Sequence, residues 1–83
     1  MSLSKAEQWI YDHFDENRGQ EIKLTDLAPA FYAERKRKPK NAAASVATMM
    51  RTIMLKTRYD RKLKAIKRVS GLGRGIVAVY RMK

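Results

Sequence analysis

Five cations and one proline interrupt the apolar pattern of this 83-residue chain at residues 35–40, RKRKPK. A proline disfavours helical geometry in the residue before it, so a helix that enters this segment must end by Lys38. Asn41 follows directly and is a favourable N-cap, which predicts that another helix starts there. The chain is therefore expected to hold two helices joined by a short cationic turn.

A first helix is predicted near the start of the chain. Ser4 and Glu7 have the spacing of a capping box, and apolar residues follow at four-residue steps. This pattern predicts a helix over residues 4–16. Gly19 suits the left-handed position directly after a helix end.

A short strand and a second helix are predicted before the cationic turn. Residues 20–24 alternate polar and apolar, which favours a strand. Thr25 is expected to cap a helix over residues 26–36, with Pro29 in its first turn, where a missing N–H costs little. Three residues of this helix are expected to face the core: Leu27, Ala30 and Phe31.

The third helix, predicted over residues 41–57, has two unlike faces. At about 100° per residue, its apolar face holds Val46, Met50 and Ile53. Leu55 falls on the opposite side, which is otherwise small or polar. The predicted outward residues are Asn41, Ala44, Ser45, Thr48, Arg51 and Thr52.

Residues 64–82 have the pattern of a β-hairpin. A strand over residues 64–69 precedes a glycine-rich tip, and the β-branched and aromatic run up to Met82 favours a return strand. We expect the third helix to break near Tyr59. In the alternative, that helix continues to Arg68 and shortens the hairpin.

Charge is distributed unevenly along the chain, whose net charge is +11. Residues 1–34 hold three Lys or Arg against seven Asp or Glu, whereas residues 35–83 hold 16 Lys or Arg against Asp60 alone. So dense a basic half repels itself unless a polyanion is near. This balance favours a nucleic-acid partner over an acidic protein or a membrane.

Several other functional classes find little support in the sequence. Absence of cysteine excludes disulfides and thiol chemistry, no apolar run is long enough to span a membrane, and no export signal is predicted. Asp12 and Glu16 flank the single histidine, His13, on one stretch of helix, but this pattern is more typical of a solvated face. We expect no enzyme activity, cofactor or metal, and a cytoplasmic, nucleoid-associated location, or a nuclear one in a eukaryote.

The predicted order of helix, strand, helix, helix and hairpin resembles that of the winged helix-turn-helix family over nearly the whole chain. Three segments carry this resemblance: LTDLAPAFYAE, NAAASVATMMRTI and KRVSGLGRGIVAVY. The spacing from Ser45 to Tyr80 also resembles that of the HARE-type winged helices attached to some restriction and chromatin proteins. The resemblance implies an α+β fold of three helices, a short strand and a C-terminal hairpin wing.

Winged helices usually insert the third helix into the major groove of double-stranded DNA and lay the wing along an adjacent groove or backbone. By this resemblance the chain is expected to be a small regulator of transcription or replication. Ala44, Ser45 and Thr48 are short enough to allow close approach, Arg51 can reach a guanine edge or a phosphate, and Asn41 can pair with adenine.

Phosphate contacts are expected from the cations outside the third helix. Long flexible cations neutralise the backbone without reading its sequence. In the turn they are Arg35, Lys36, Arg37, Lys38 and Lys40; in the hairpin they are Lys67, Arg68 and, at the tip, Arg74. The alternative is that these cations are merely solvated.

Two other functions remain open from the sequence alone. One is RNA binding, as in small basic ribosome-associated winged helices. The other is protein interaction through the acidic first helix. A homodimer, or a head-to-tail array on DNA in which acidic and basic faces meet, is also possible.

Overall fold

The computed structural model describes residues 3–33, 35, 37–70 and 78–82. Its elements are α1 (Lys5–Glu16), β1 (Ile22–Lys23), α2 (Leu24–Tyr32), α3 (Ala42–Tyr59), β2 (Ile66–Ser70) and β3 (Val79–Met82). Within the described residues, three helices lie beside a three-stranded antiparallel sheet. The α+β class predicted from the sequence is therefore confirmed for this part of the chain.

The start of α1 is held by the reciprocal capping box that the sequence predicts. The Ser4 side-chain oxygen accepts from the Glu7 N–H at 3.2 Å, and the Glu7 carboxylate accepts from the Ser4 N–H at 2.9 Å. After the helix, the Gln20 N–H donates to the Asn17 carbonyl at 3.0 Å. Gly19 lies inside this turn with a φ of 85°, one position further from the helix than predicted.

The start of α2 differs from the prediction, because Thr25 is not its N-cap. The helix begins at Leu24, and the capping residue Lys23 makes no side-chain capping bond. Instead, the Leu24 N–H donates to the Ala78 carbonyl at 2.8 Å. The residue directly before β3 thus supplies an acceptor for one of the N–H groups that a helix start leaves unpaired. The helix start at Leu24 also ends the predicted strand early, and β1 holds only Ile22 and Lys23.

The end of α2 also differs from the prediction, since the helix stops at Tyr32 rather than residue 36. The Arg35 N–H donates to the Tyr32 carbonyl at 3.2 Å and closes a turn there. Because the helix starts early, Pro29 lies in its interior and not in its first turn. It therefore removes the interior hydrogen bond to the Thr25 carbonyl.

The limits of α3 lie close to those that the sequence indicates. Asn41 caps the helix, which continues two residues past the predicted end to Tyr59. Asp60 then adopts an extended conformation, and its carboxylate accepts from the Lys62 N–H at 3.0 Å. The break near Tyr59 is confirmed, and the alternative in which the helix continues to Arg68 is wrong.

The sheet has the order β1-β3-β2, so β3 pairs on both sides. Tyr80 in β3 lies opposite Ile22 on one side and opposite Arg68 on the other. The register between β2 and β3 shifts between Arg68 and Ser70. The first hairpin strand starts at Ile66, two residues later than predicted. The Lys64 N–H donates to the Tyr11 hydroxyl and not to a neighbouring strand.

The core lies between the helices and the inner face of the sheet. The largest fully buried side chains are Ile10, Phe14, Leu27, Val46, Met50, Ile53 and Met82. The Phe14 and Tyr80 rings meet edge to face, with centroids 6.4 Å apart. The predicted inward residues of α3 are confirmed, but in α2 the buried alanine is Ala28, and Ala30 is exposed.

Two polar contacts tie α1 to distant parts of the chain. The Lys56 ammonium donates to the Glu7 carboxylate at 2.7 Å, and the Lys64 N–H donates to the Tyr11 hydroxyl at 3.0 Å. The hydrogen bond from Lys56, together with that from the Ser4 N–H, holds the pKa of Glu7 below its ordinary value of 4.5. The carboxylate therefore caps α1 and pairs with α3 at once.

We expect Glu7→Gln to lower the free energy of unfolding by about 1–2 kcal/mol at pH 7, because glutamine keeps the capping box but loses the charged bond to Lys56. Since folding lowers the pKa of Glu7, this stabilisation is fully present above the unfolded-state value. It disappears as the pH falls through the folded-state value. Urea unfolding of both proteins between pH 7 and pH 3 measures the difference.

The control is Glu16→Gln, which makes the same change at an exposed position of α1. It is expected to change the free energy of unfolding by less than about 0.5 kcal/mol. An equal effect of both substitutions, or a difference at position 7 that persists at pH 3, contradicts the assigned role of the ion pair.

Candidate nucleic-acid interface

The outward side of α3 carries the predicted recognition residues as one face. Ala44, Thr48 and Arg51 are exposed and follow one another at helical spacing. Ser45 and Thr52 are half-buried at the border of this face. The structure therefore brings the predicted helix residues together on one solvent-facing surface with short side chains, which we call the α3 outer face.

The two threonine hydroxyls of the α3 outer face bond to the helix backbone. Thr48 donates to the Ala44 carbonyl at 3.1 Å, and Thr52 donates to the Thr48 carbonyl at 3.4 Å. Each hydroxyl donates its proton to a carbonyl of its own helix. Each threonine can therefore offer a ligand only the lone pairs of its hydroxyl oxygen and its methyl group. Such groups suit a base amino group or a thymine methyl.

Asn41 has a structural role that competes with its predicted contact to adenine. Its side-chain oxygen accepts from the Ala44 N–H at 3.0 Å and caps α3. Bidentate pairing with adenine needs both the oxygen and the amide nitrogen of asparagine. The capping bond therefore competes with that pairing for the same oxygen.

Two cations from different elements act on Tyr80 at the junction of helix and sheet. Burial raises the pKa of the Tyr80 hydroxyl, and the positive charges of Arg68 and Arg51 oppose that rise. Arg68 lies opposite Tyr80, whose side chain is buried, so it stands on the sheet face turned towards the helices. Arg51 and Arg68 thus place positive charge where α3 meets the sheet.

Lys67 does not share this location, although the sequence analysis grouped it with Arg68. Neighbouring residues of a strand point to opposite faces of the sheet. Lys67 lies opposite Arg81 on the outer face, and the exposed Lys23 of β1 belongs to the same face. Lys67 and Arg68, which the sequence predicts together as phosphate contacts, therefore lie on opposite faces of the sheet.

The predicted cationic turn is exposed at all its described cations. Arg37, Lys38 and Lys40 are exposed, and Lys36 lies outside the described residues, as does Arg74 of the predicted hairpin tip. Arg35 places its guanidinium 4.1 Å from the centre of the Phe31 ring. This stacking fixes Arg35 at the end of α2, while the edge of its guanidinium can still donate to a phosphate.

The surface of α1 has the opposite charge. Trp9 stacks on His13, with ring centroids 5.4 Å apart, and both line a shallow hollow of about 230 Å³ together with Asp12 and Glu16. In the part of the chain that the structure describes, no group of three His, Asp or Glu residues lies close enough to hold a metal ion. The hollow is an acidic, partly aromatic surface.

The structure adds four exposed residues to the predicted set: Lys23 and Arg81 on the outer face of the sheet, and Arg58 and Tyr59 at the end of α3. Lys23 and Arg81 were overlooked because their position depends on pairing between distant strands. Arg58 and Tyr59 were overlooked because the helix was expected to end at residue 57, although both fall on the outward side if the same helical period is continued.

No protein-family model, curated protein or solved structure was found to match the chain. Among the described residues, no helix has both the length and the apolar character needed to cross a membrane.

We expect Asn41→Ala to lower the free energy of unfolding by about 1 kcal/mol, because it removes the cap of α3. Asn41→Ser is the matched control, since serine also caps helices well and should keep most of that stability. Urea unfolding monitored by circular dichroism measures both. Equal stability of the alanine and serine variants contradicts the capping role.

Proposed function

We propose that this domain binds double-stranded DNA in the manner of a winged helix, as a small regulator of transcription or replication. In this proposal α3 enters the major groove, and the β2–β3 pair lies along the neighbouring backbone. The observation that carries the proposal is the α3 outer face, which faces solvent, consists mainly of short side chains and includes Arg51.

The order of elements supports the winged-helix part of the proposal. Three helices and a small antiparallel sheet, whose last two strands pair with each other, correspond to the arrangement expected for that family. The three helices share one core with the sheet, so α3 is held on its inner side and open on its outer side.

The shape of the α3 outer face supports insertion into a groove. The major groove of B-form DNA is about 12 Å wide, which is close to the diameter of a helix with its side chains. Large outward side chains would keep the helix from the base edges. Ala44 and Thr48 avoid this obstruction over the first turns of α3.

The distribution of charge supports a polyanionic ligand on this side of the molecule. The exposed cations of the turn precede α3, and the charges of Arg51 and Arg68 both act on Tyr80. The hollow between Asp12 and Glu16 lies on α1 instead. A polyanion approaching the domain is therefore attracted to the side of the turn and repelled from α1.

A helix with short outward residues favours DNA over double-stranded RNA. The major groove of A-form RNA is deep and narrow and does not admit a helix in this way. The direct test is competition of duplex DNA against duplex RNA of the same sequence at one salt concentration. Stronger competition by RNA would overturn the proposal and favour an RNA-binding function.

The affinity for duplex DNA is expected to fall steeply with salt, because each neutralised phosphate releases counterions. With at least about five phosphate contacts, log K plotted against log salt should have a slope of about −4.5 or steeper. Fluorescence anisotropy titrations between 50 and 300 mM salt measure this slope. A slope near −1 contradicts the role assigned to the exposed cations.

We expect Arg51→Ala to weaken binding to duplex DNA by about 1–3 kcal/mol, because it removes the cation of the α3 outer face. Arg18→Ala is the matched control. It makes the same change at an exposed arginine paired with Asp15 at 2.6 Å, on the acidic side. Anisotropy titrations with one duplex compare the two variants.

The Arg18 variant should bind within about twofold of the parent protein, because surface charges far from the ligand contribute little once screened by salt. An equal loss of affinity in both variants would indicate a charge effect of the whole protein and not a binding face. Unchanged affinity of the Arg51 variant would remove α3 from the interface.

A further inference from the structure

The C-terminal end of α3 presents an aromatic ring to solvent. Tyr59 is 67% exposed, the highest value among the exposed large hydrophobic residues described. Leu55, four residues earlier on the same side of the helix, is 53% exposed. Tyr59 is not needed to end the helix, because Asp60 is the C-cap and bonds through its own N–H to the Lys56 carbonyl. The ring therefore has no role in ending the helix and is open to contact with a ligand.

Cations surround this ring. The Arg58 guanidinium carbon lies 5.9 Å from the ring centre. A hollow of about 290 Å³ beside the ring is lined by Lys56, Tyr59, Asp60, Arg61 and Lys62. Aromatic rings interleaved with cations are the combination that holds single-stranded nucleic acid, since the ring stacks on a base while the cations contact the backbone.

Tyr59 belongs to the same side of α3 as the proposed recognition residues but lies far along the helix. At about 1.5 Å per residue, it is roughly 22 Å from Ala44, which exceeds the width of a major groove. A duplex held by the first turns of α3 therefore ends its closest contact before Tyr59. The ring is therefore placed beyond the base edges that α3 reads, where it can meet nucleic acid that leaves the duplex path.

We propose that Tyr59 is a stacking site for one unpaired base next to the duplex bound by α3. This inference depends on the proposed DNA-binding function. The Tyr59 ring takes the face of the base, and Arg58, Arg61 and Lys62 take the phosphates on either side. The Asp60 carboxylate disfavours a phosphate in the hollow and favours a base amino group there. The domain therefore prefers a duplex with a single-stranded extension to a blunt duplex.

The test compares one duplex in blunt form and with a short extension on either strand, with 2-aminopurine as the first unpaired base. The parent protein should bind one extended duplex on the order of tenfold tighter than the blunt one, the size expected for stacking of one base. Binding should also quench the 2-aminopurine fluorescence. Anisotropy gives the affinity, and the fluorescence change reports the stacking.

Three substitutions of Tyr59 distinguish the effect of its aromatic face from the effect of its apolar size. Tyr59→Phe keeps an aromatic face and should retain both the preference and the quenching. Tyr59→Leu keeps apolar bulk without that face, and Tyr59→Ala removes both, so each should lose the preference. Circular dichroism confirms that each variant is folded, which is expected since the residue is exposed and lies at a helix end.

Persistence of the preference and the quenching in Tyr59→Ala would overturn the proposal, as would the absence of any preference in the parent protein. A change from dimer to monomer in Tyr59→Ala, without an effect on extended duplexes, would instead identify a contact between copies of the chain. Failure of duplex binding itself has a different signature. Blunt duplexes would not bind, or Arg51→Ala would leave their affinity unchanged, whatever the result at position 59.

Discussion

Burial of one side of α3 is the constraint on which the rest of the structure depends. Val46, Met50 and Ile53 are fully buried, and they share one core with Phe14 of α1 and Met82 of β3. A chain of this length has only a small core, so no other element can replace the contribution of α3. Because this side alone anchors the helix, the opposite side is released from packing and can hold short, polar and charged residues.

Polar contacts add to the restraint that the core places on α3, because they fix the helix at both ends. Asn41 caps its start, and Lys56 near its end reaches across to the carboxylate that also caps α1. The Tyr11 hydroxyl then holds the segment that follows the helix. A helix restrained in this way presents its outer face in one orientation, which a binding site on a small domain requires.

Features that depend on neighbours within four residues could be predicted from the sequence. They include the capping box of α1, the two faces of α3 and the break at Asp60. Features that depend on distant residues could not. The sequence predicts Thr25 as the cap of α2, because nothing local shows that Ala78 supplies the acceptor for the helix start.

The residues of the candidate site can be sorted in the same way, into those that local sequence predicts and those that depend on distant contacts. The row of outward residues on α3 follows from helical periodicity alone, and the exposed cations of the turn follow from composition. The separation of Lys67 from Arg68 across the sheet depends on which face of β2 meets the core, which a strand with charges at both positions does not reveal. The stacking of Arg35 on Phe31 and the open surroundings of Tyr59 require the packed structure.

The position of β3 between the other two strands also determines the order in which the chain can fold. Ile22 finds its partner only in Tyr80, so β1 closes a loop that contains α2, α3 and β2. Closing so long a loop costs more entropy than forming a helix, and contacts of this kind slow folding. The helices and the β2–β3 pair, whose strands are close in sequence, therefore depend on shorter loops than β1 does. Until β1 pairs, one edge of β3 stays open, and an open strand edge is where another copy of the chain can pair.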